Sequence, residues 1–435
     1  MLHTSSDTAL DSAAQGPETL TIGHWVFLSL CFVIMMFDGF DVQVIGPTAP
    51  FMAKSHGIAI STFGLVLGAG HLGAIVGAFG LGLIADRTGR KRTLVVATIV
   101  FGVATIAIVL PFISSVSALA GVRFVSGIAL GGIAPIVLAM AAQVTPQRIH
   151  GRVLATLWLG LPAGGVACGL LGALTLPDWK SLYMIGGLPP TLIAILLIWL
   201  VPPSQSLAAS SAPAPARVQA PALAAAAPRP RVLAPGRRAS TLILWILFFV
   251  EFVQMIFVVS WSPTLLDLAG ASPSQVGSAL LLFNLGSMTG ITVGGVLVDR
   301  ISHYRVMIGC SVAIMLSLFL LGMFTHYPFA FFAIGLVLFG ASSGVGNSAV
   351  LALAAAAYPP DIRATAIGWA YCFARLGSTV AASLGGYLYA AGWSAASLYY
   401  LIGSLGIALL LGAMLIARFV RPSAQGAGER LEHGG

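Results

Sequence analysis

The stretch GLIADRTGRKR (82–92) sets four cations and one acid between two long apolar stretches. Its frame returns at 295–305 as GVLVDRISHYR. Gly82, Asp86, Arg87 and Arg92 align with Gly295, Asp299, Arg300 and Arg305 at an offset of 213 residues. A second landmark, GRVLAT (151–156) against IRATAI (362–367), pairs Arg152 with Arg363 at an offset of 211. Two independent matches at nearly one period indicate an internal duplication.

What lies around these landmarks is apolar. Of the 435 residues, 58% are hydrophobic and only 8% charged, against roughly 25% charged in an ordinary globular protein. That leaves too little polar surface for a water-exposed fold. Apolar runs of about 20 residues span a bilayer core of ~30 Å as helices. Twelve are read here: 24–46, 61–83, 94–113, 116–143, 153–175, 181–201, 241–266, 275–298, 306–325, 328–357, 364–390 and 395–419. Their length favours helices over the shorter, alternating strands of a barrel. The expectation is an all-α membrane protein, twelve transmembrane helices in two six-helix pseudo-symmetric bundles.

With both termini placed on one side, that side collects all of the 21 Lys and Arg residues except Lys54, Lys180, Arg123 and Arg375. This bias sets topology by the positive-inside rule, so both termini are expected to be cytoplasmic, in a bacterial inner membrane. The net charge of +8 then reflects orientation rather than a nucleic-acid surface. An Ala/Pro-rich, low-complexity segment at 202–240 reads as a flexible cytoplasmic linker. It separates bundles at 23–201 and 241–420, flanked by a disordered tail at 1–22 and a C-terminal tail at 421–435. Paired six-helix repeats with a site between them near mid-membrane are a transporter architecture.

The first run holds a costly feature, FDGFDVQVIG (37–46), with Asp38 and Asp41. Spacing i, i+3 stacks them on one helical face. An ionised Asp in lipid costs ~2.5–3.5 kcal/mol even on a lenient scale, so this face is expected to meet the bundle interior or a wet cavity. Advancing both by 213 leads to Glu251 and Gln254 in FVEFVQMIF (249–257). Asp38, Asp41 and Glu251 are the candidates for proton coupling; a permanently protonated structural hydrogen bond is the other reading of each. Arg123 and Arg375, within the fourth and eleventh runs, are candidates for gripping an anion, because guanidinium forks a carboxylate with two bonds. His71 in GAGHLGAIVG (68–77) is a third candidate at a substrate site, or else a polar contact between helices. Trp369, with Trp158, Tyr371 and Phe373, offers stacking faces, and Gln254, Asn284 and Asn347 are read as lining a cavity or bridging helices.

Cys31, Cys168, Cys310 and Cys372 all fall within spans with no metal-type spacing, and read as packing residues. There is no Walker-type phosphate loop, zinc motif or nucleophile elbow. No enzyme activity, metal or cofactor is expected beyond a proton as coupling ion. Gly64, Gly68, Gly73 and Gly77, like Gly127 and Gly131, follow small-xxx-small spacing, which lets helix backbones approach closely.

Together, the twelve runs, the central linker, GLIADRTGRKR and RFVSGIALGG (123–132) resemble the major facilitator superfamily. DGFD, WSPTLL (261–266) and YPPDIRATAIGWAYCFARLG (358–377) resemble its aromatic acid:proton symporter family. The resemblance implies import of a small organic anion, an aromatic carboxylate such as a (hydroxy)benzoate, with protons, by alternating access and as a monomer. It implicates Asp38, Asp41 and Arg375. It also implies that Gly82, Asp86, Arg87, Gly89 and Arg90 form a gating loop, Asp86 latching the cytoplasmic side. Three features depart from the family pattern: VPPSQS (201–206) lacks an expected acid, the N-terminal tail is acidic rather than basic, and His71 and Glu251 are not residues the resemblance carries over. The alternative is a proton-driven exporter of small molecules or drugs; GLPAGGVACG (160–169) matches part of an antiporter motif.

Overall fold

The structure, a computed structural model, describes residues 20–200, 232–234 and 236–419. The expected N-terminal tail up to residue 19, the C-terminal tail and most of the expected linker lie outside the described residues; residues 20–22 and 238–240, expected in tail and linker, lead into helices instead. Twelve helices are described: α1 (Ile22–His56), α2 (Phe63–Thr88), α3 (Arg90–Ala107), α4 (Val116–Val144), α5 (His150–Trp158 and Gly160–Thr175), α6 (Trp179–Leu200), α7 (Arg238–Leu268), α8 (Pro273–Arg300), α9 (His303–Met323), α10 (Phe329–Ala357), α11 (Pro360–Ala390) and α12 (Ala395–Ser404 and Gly406–Phe419). Helices α1–α6 and α7–α12 form two pseudo-symmetric six-helix bundles. Ten of the twelve spans are long and apolar enough to cross a membrane on hydropathy alone. The other two are α3, which opens on Arg90, Lys91 and Arg92, and α11, which carries Arg363 and Arg375.

Several helices outrun the apolar runs. A capping box at Thr21 starts α1, and Gly57, with a φ of 64°, ends it; the left-handed turn there suits glycine. Between them α1 passes through Pro47 and Pro50, where the sequence reading stops at 46. Pro50 cannot donate to Gly46, and the hydroxyl of Thr264 approaches that carbonyl at 3.5 Å. Neighbouring helices commonly re-satisfy such groups inside a membrane. The break in α5 at Leu159 has the opposite outcome. Pro162 lacks the N–H that would bond the carbonyl of Trp158, and the helix restarts one residue later.

Glycine sets the tightest packing. A Cβ on Gly73, Gly77, Gly127 or Gly131 would strike the backbone of Phe124, Ile128, Gly70 or Ala74 respectively, so α2 and α4 touch backbone to backbone. Gly286, Gly290, Gly340 and Gly344 meet Val337, Ala341, Phe283 and Ser287 in the same way between α8 and α10. All four glycines and all four of their partners are related by the offset of 213 seen in the loop landmarks. The duplication therefore extends to individual interhelical contacts.

The bundles meet mainly on the face away from the signature loop. There Gly46 of α1 abuts the carbonyl of Val259 of α7, Gly64 of α2 abuts Ser383 of α11, and Gly277 of α8 abuts Gly172 and Ala173 of α5. At the rim Lys54 Nζ pairs with Asp267 Oδ2 at 2.9 Å. Nearer the signature face the bundles meet through rings. Trp158 and Tyr371 lie 6.3 Å apart between centroids, and Phe79 and Trp369 6.5 Å.

Candidate functional site

The two aspartates of α1 have different surroundings. Asp41 is completely buried. Its Oδ2 accepts from Arg123 Nη1 at 2.8 Å, its Oδ1 accepts from Thr105 Oγ1 at 2.7 Å, and its main-chain oxygen accepts from Arg123 Nη2 at 2.9 Å. Such a charge pair gains from further hydrogen bonds; the Thr105 hydroxyl supplies one to the carboxylate, while the buried Arg123 Nε has no partner among the described residues. The repeat explains why the second half has an amide instead. Adding 213 turns Arg123 into Leu336 and Thr105 into Leu318, both buried. With no cation or hydroxyl to meet it, the position equivalent to Asp41 is the neutral Gln254.

Asp38, 3% exposed, has no hydrogen bond or ion pair among the described residues. It lines a cavity of about 170 Å³ between the bundles, together with His71, Tyr371 and Arg375. Arg375 is half-buried and enters no ion pair among the described residues. It also borders a small pocket shared with Asp41, Arg123 and His71. One acid–base pair is thus bonded to itself, while a second carboxyl and a second guanidinium face the same empty space. Apolar side chains, among them Leu161, Phe252, Met255 and Ile256, form much of the wall. That combination can hold a flat anionic molecule and exchange a proton beside it.

The amides Gln43 of α1 and Asn284 of α8 line the same cavity and join the bundles. Gln43 Nε2 donates to Asn284 Oδ1 at 3.2 Å, and Asn284 Nδ2 donates to Gln43 Oε1 at 2.8 Å. Gln43 stands within FDGFDVQVIG beside the acids, and an amide in an apolar run is itself a signal. Thr105 gives none, since one hydroxyl in a span usually bonds its own helix, as this one also does at the carbonyl of Phe101.

Other expected residues lie elsewhere. Gln254 bridges helices rather than lining the cavity: its Nε2 donates to the carbonyl of Ile402 in α12 at 2.9 Å. Trp369 is half-exposed and packs against Trp245 and Phe79 rather than lining the cavity. Glu251 is buried inside the second bundle, where the bare backbone of Gly346 leaves room for its Oε1 and its Oε2 has no partner; it does not line the cavity. In the loop, Gly89 has a φ of 97° and joins α2 directly to α3, while Gly82 is helical with open space beside it. Asp86 and Arg87 are exposed, Arg90 begins α3, and Asp86 forms no hydrogen bond or ion pair among the described residues.

Comparison with known proteins agrees with this architecture. The Major Facilitator Superfamily model matches residues 31–271 and 243–433. The chain is 30% identical to a gallate transporter of Pseudomonas putida, over 87% of this chain and 89% of that protein. It is 29% identical to a 4-hydroxybenzoate transporter of Pseudomonas aeruginosa, over 87% and 89%, and 28% identical to a 3-(3-hydroxy-phenyl)propionate transporter of Escherichia coli, over 88% and 90%. Among solved structures, a D-xylose-proton symporter superposes with a TM-score of 0.76 at 16% identity, over 92% of this chain and 98% of that one. With the repeated loop, the paired bundles and these matches in agreement, the chain is a multi-pass membrane protein that belongs to the Major Facilitator Superfamily.

Proposed function

We propose that the protein imports a small aromatic carboxylate together with protons, by alternating access around the cavity between its bundles. The observation that carries this is the pairing of functions within one space. Arg375 presents an uncommitted guanidinium where Asp38 presents an uncommitted carboxyl, and Asp41 and Arg123 are already bonded to each other. Arg375 then binds the carboxylate of the substrate, the apolar wall takes its ring, and Asp38 carries the proton. Asp41 acts on the coupling through Arg123, and Glu251 is a second protonation site set apart from the substrate. His71 borders the small pocket together with both arginines and lends a polar edge to the substrate cavity. The names of the relatives, all transporters of aromatic acids, support the substrate class.

In this reading the protein is a monomeric transporter of the bacterial inner membrane with no enzymatic activity and no cofactor. Both termini are cytoplasmic, and the loop of Gly82, Asp86, Arg87, Gly89 and Arg90 closes the cytoplasmic side when Asp86 finds its partner. The test uses purified protein in liposomes containing a pH-sensitive dye. Aromatic acids, aliphatic acids and cationic drugs are added outside, for wild type and Asp38→Asn. Internal acidification with aromatic acids alone, lost in the variant, is the expected result. Proton release driven by drug uptake, with no response to any acid, would overturn the reading in favour of an exporter.

A further inference from the structure

We infer that the amide pair Gln43–Asn284 reads a hydroxyl group on the ring of the substrate, so that the preferred ligand is a hydroxylated aromatic monocarboxylate. The inference rests on the reading above, which puts the carboxylate at Arg375, and adds what recognises the other end of the molecule.

The orientation of both amides is fixed by one backbone group. Asn284 Nδ2 donates to the carbonyl of Leu280 at 2.8 Å as well as to Gln43 Oε1, so its nitrogen cannot exchange places with its oxygen. Gln43 must then present its oxygen to Asn284 Nδ2 and its nitrogen to Asn284 Oδ1. An amide nitrogen has two hydrogens and an amide oxygen two lone pairs. Both hydrogens of Asn284 are committed. What remains at the pair is one N–H of Gln43 and one lone pair on each of two oxygens.

A hydroxyl satisfies that set, since it accepts from the N–H while donating to an oxygen. A second carboxylate can only accept, and would meet one donor with two carbonyl oxygens facing it. An unsubstituted ring leaves the amides bonded to each other, so it forgoes a gain without creating an unpaired group. The expected order is therefore hydroxybenzoate first, benzoate about tenfold weaker, and a benzene dicarboxylate weakest. Gly165 is part of the device. Its bare backbone lies against Gln43 and Asn284 so closely that a Cβ would strike both amides.

The test measures binding to the purified full-length protein in lipid nanodiscs by calorimetry, with benzoate, 3- and 4-hydroxybenzoate, and terephthalate. In wild type the better hydroxybenzoate should bind about tenfold more tightly than benzoate. In Gln43→Leu and Asn284→Leu that ratio should fall to within about twofold of one. The ratio is the diagnostic readout, because any change in the balance between conformations affects both acids equally and cancels. Gly165→Ala, which displaces the amides without removing them, should lower the ratio too. Equal wild-type binding of hydroxybenzoate and benzoate overturns the inference and leaves the transport reading intact. So does a tenfold ratio that survives in Gln43→Leu, or terephthalate binding best. If no aromatic acid binds wild type, the transport reading fails and takes this inference with it.

Discussion

Replacing Asp38 and Asp41 by asparagine, one at a time, should separate two roles that the sequence presents as a matched pair. Asp41→Asn keeps the size of the side chain but leaves the charge of Arg123 uncompensated where that side chain is 5% exposed. Removing one partner of a buried ion pair costs about 3–5 kcal/mol. The main-chain oxygen of residue 41 still accepts from Arg123 Nη2, which places the loss near the lower figure. A unit of this size shifts by roughly 2–4 °C per kcal/mol, so melting should fall by about 6–12 °C. Asp38 has no bonded partner among the described residues to strand, and Asp38→Asn should melt within about 2 °C of wild type while abolishing proton uptake with substrate. The assay is thermal unfolding of purified protein followed by tryptophan fluorescence, beside the liposome measurement. The double variant Asp41→Leu/Arg123→Leu removes both charges together and should recover most of the lost stability. An Asp41→Asn protein that melts like wild type, or an Asp38→Asn protein that melts as early as Asp41→Asn, would refute the distinction between a carboxyl bonded to Arg123 and a carboxyl that faces the cavity unbonded.

Other perturbations follow from the same geometry. Arg375→Lys keeps the charge but loses the fork, and should weaken aromatic-acid binding by roughly tenfold, while Arg375→Gln should weaken it by roughly a hundredfold; equal binding by all three proteins would remove Arg375 from the site. Gly77→Val and its repeat counterpart Gly290→Val should each abolish monodisperse protein on size exclusion, because the added carbons would occupy backbone of the facing helix. Gly82→Ala should purify normally, since open space surrounds that position, so any transport defect in it belongs to gating. Lys54→Ala should change unfolding free energy by less than ~1 kcal/mol, since the lysine side chain is 67% exposed. It should open the far face of the cavity to water-soluble thiol reagents at a cysteine introduced at Val259, and the swap Lys54→Asp/Asp267→Lys should restore protection.

Much of this molecule is legible in its residues, and the exceptions have physical causes. Twelve apolar runs located twelve helices because lipid demands that each span satisfy its own backbone. Helix ends are less legible than helices: the first apolar run closes at 46 while α1 continues through Pro47 and Pro50 to His56, and the sequence does not reveal a side chain such as Thr264 reaching in from another helix. The offset of 213 residues was legible at the loop but equally present, and unread, in Gly73, Gly77, Gly127 and Gly131 with their counterparts. Periodicity put Asp38 and Asp41 on one face correctly, yet could not tell which would meet Arg123, because that depends on the depth at which α3 and α4 cross α1. Gln254 leaves two readings open for a related reason: a polar residue in a span declares that it needs a partner, not on which side the partner waits. The amide pair of Gln43 and Asn284 brings together residues 241 apart in sequence, a distance that no local pattern bridges.

The rim pair Lys54–Asp267 is separated by 213 residues, the period of the repeat. So are Gly46 and Val259, which touch a little deeper. Each residue thus confronts its own counterpart across the axis that relates the halves. In a dimer of two identical half-length chains, that axis would set lysine against lysine, or aspartate against aspartate. An ion pair there is open only to halves that have diverged. Lys54 and Asp267 therefore record a history as well as a closure: this bond could form only after the symmetry that placed it had been broken.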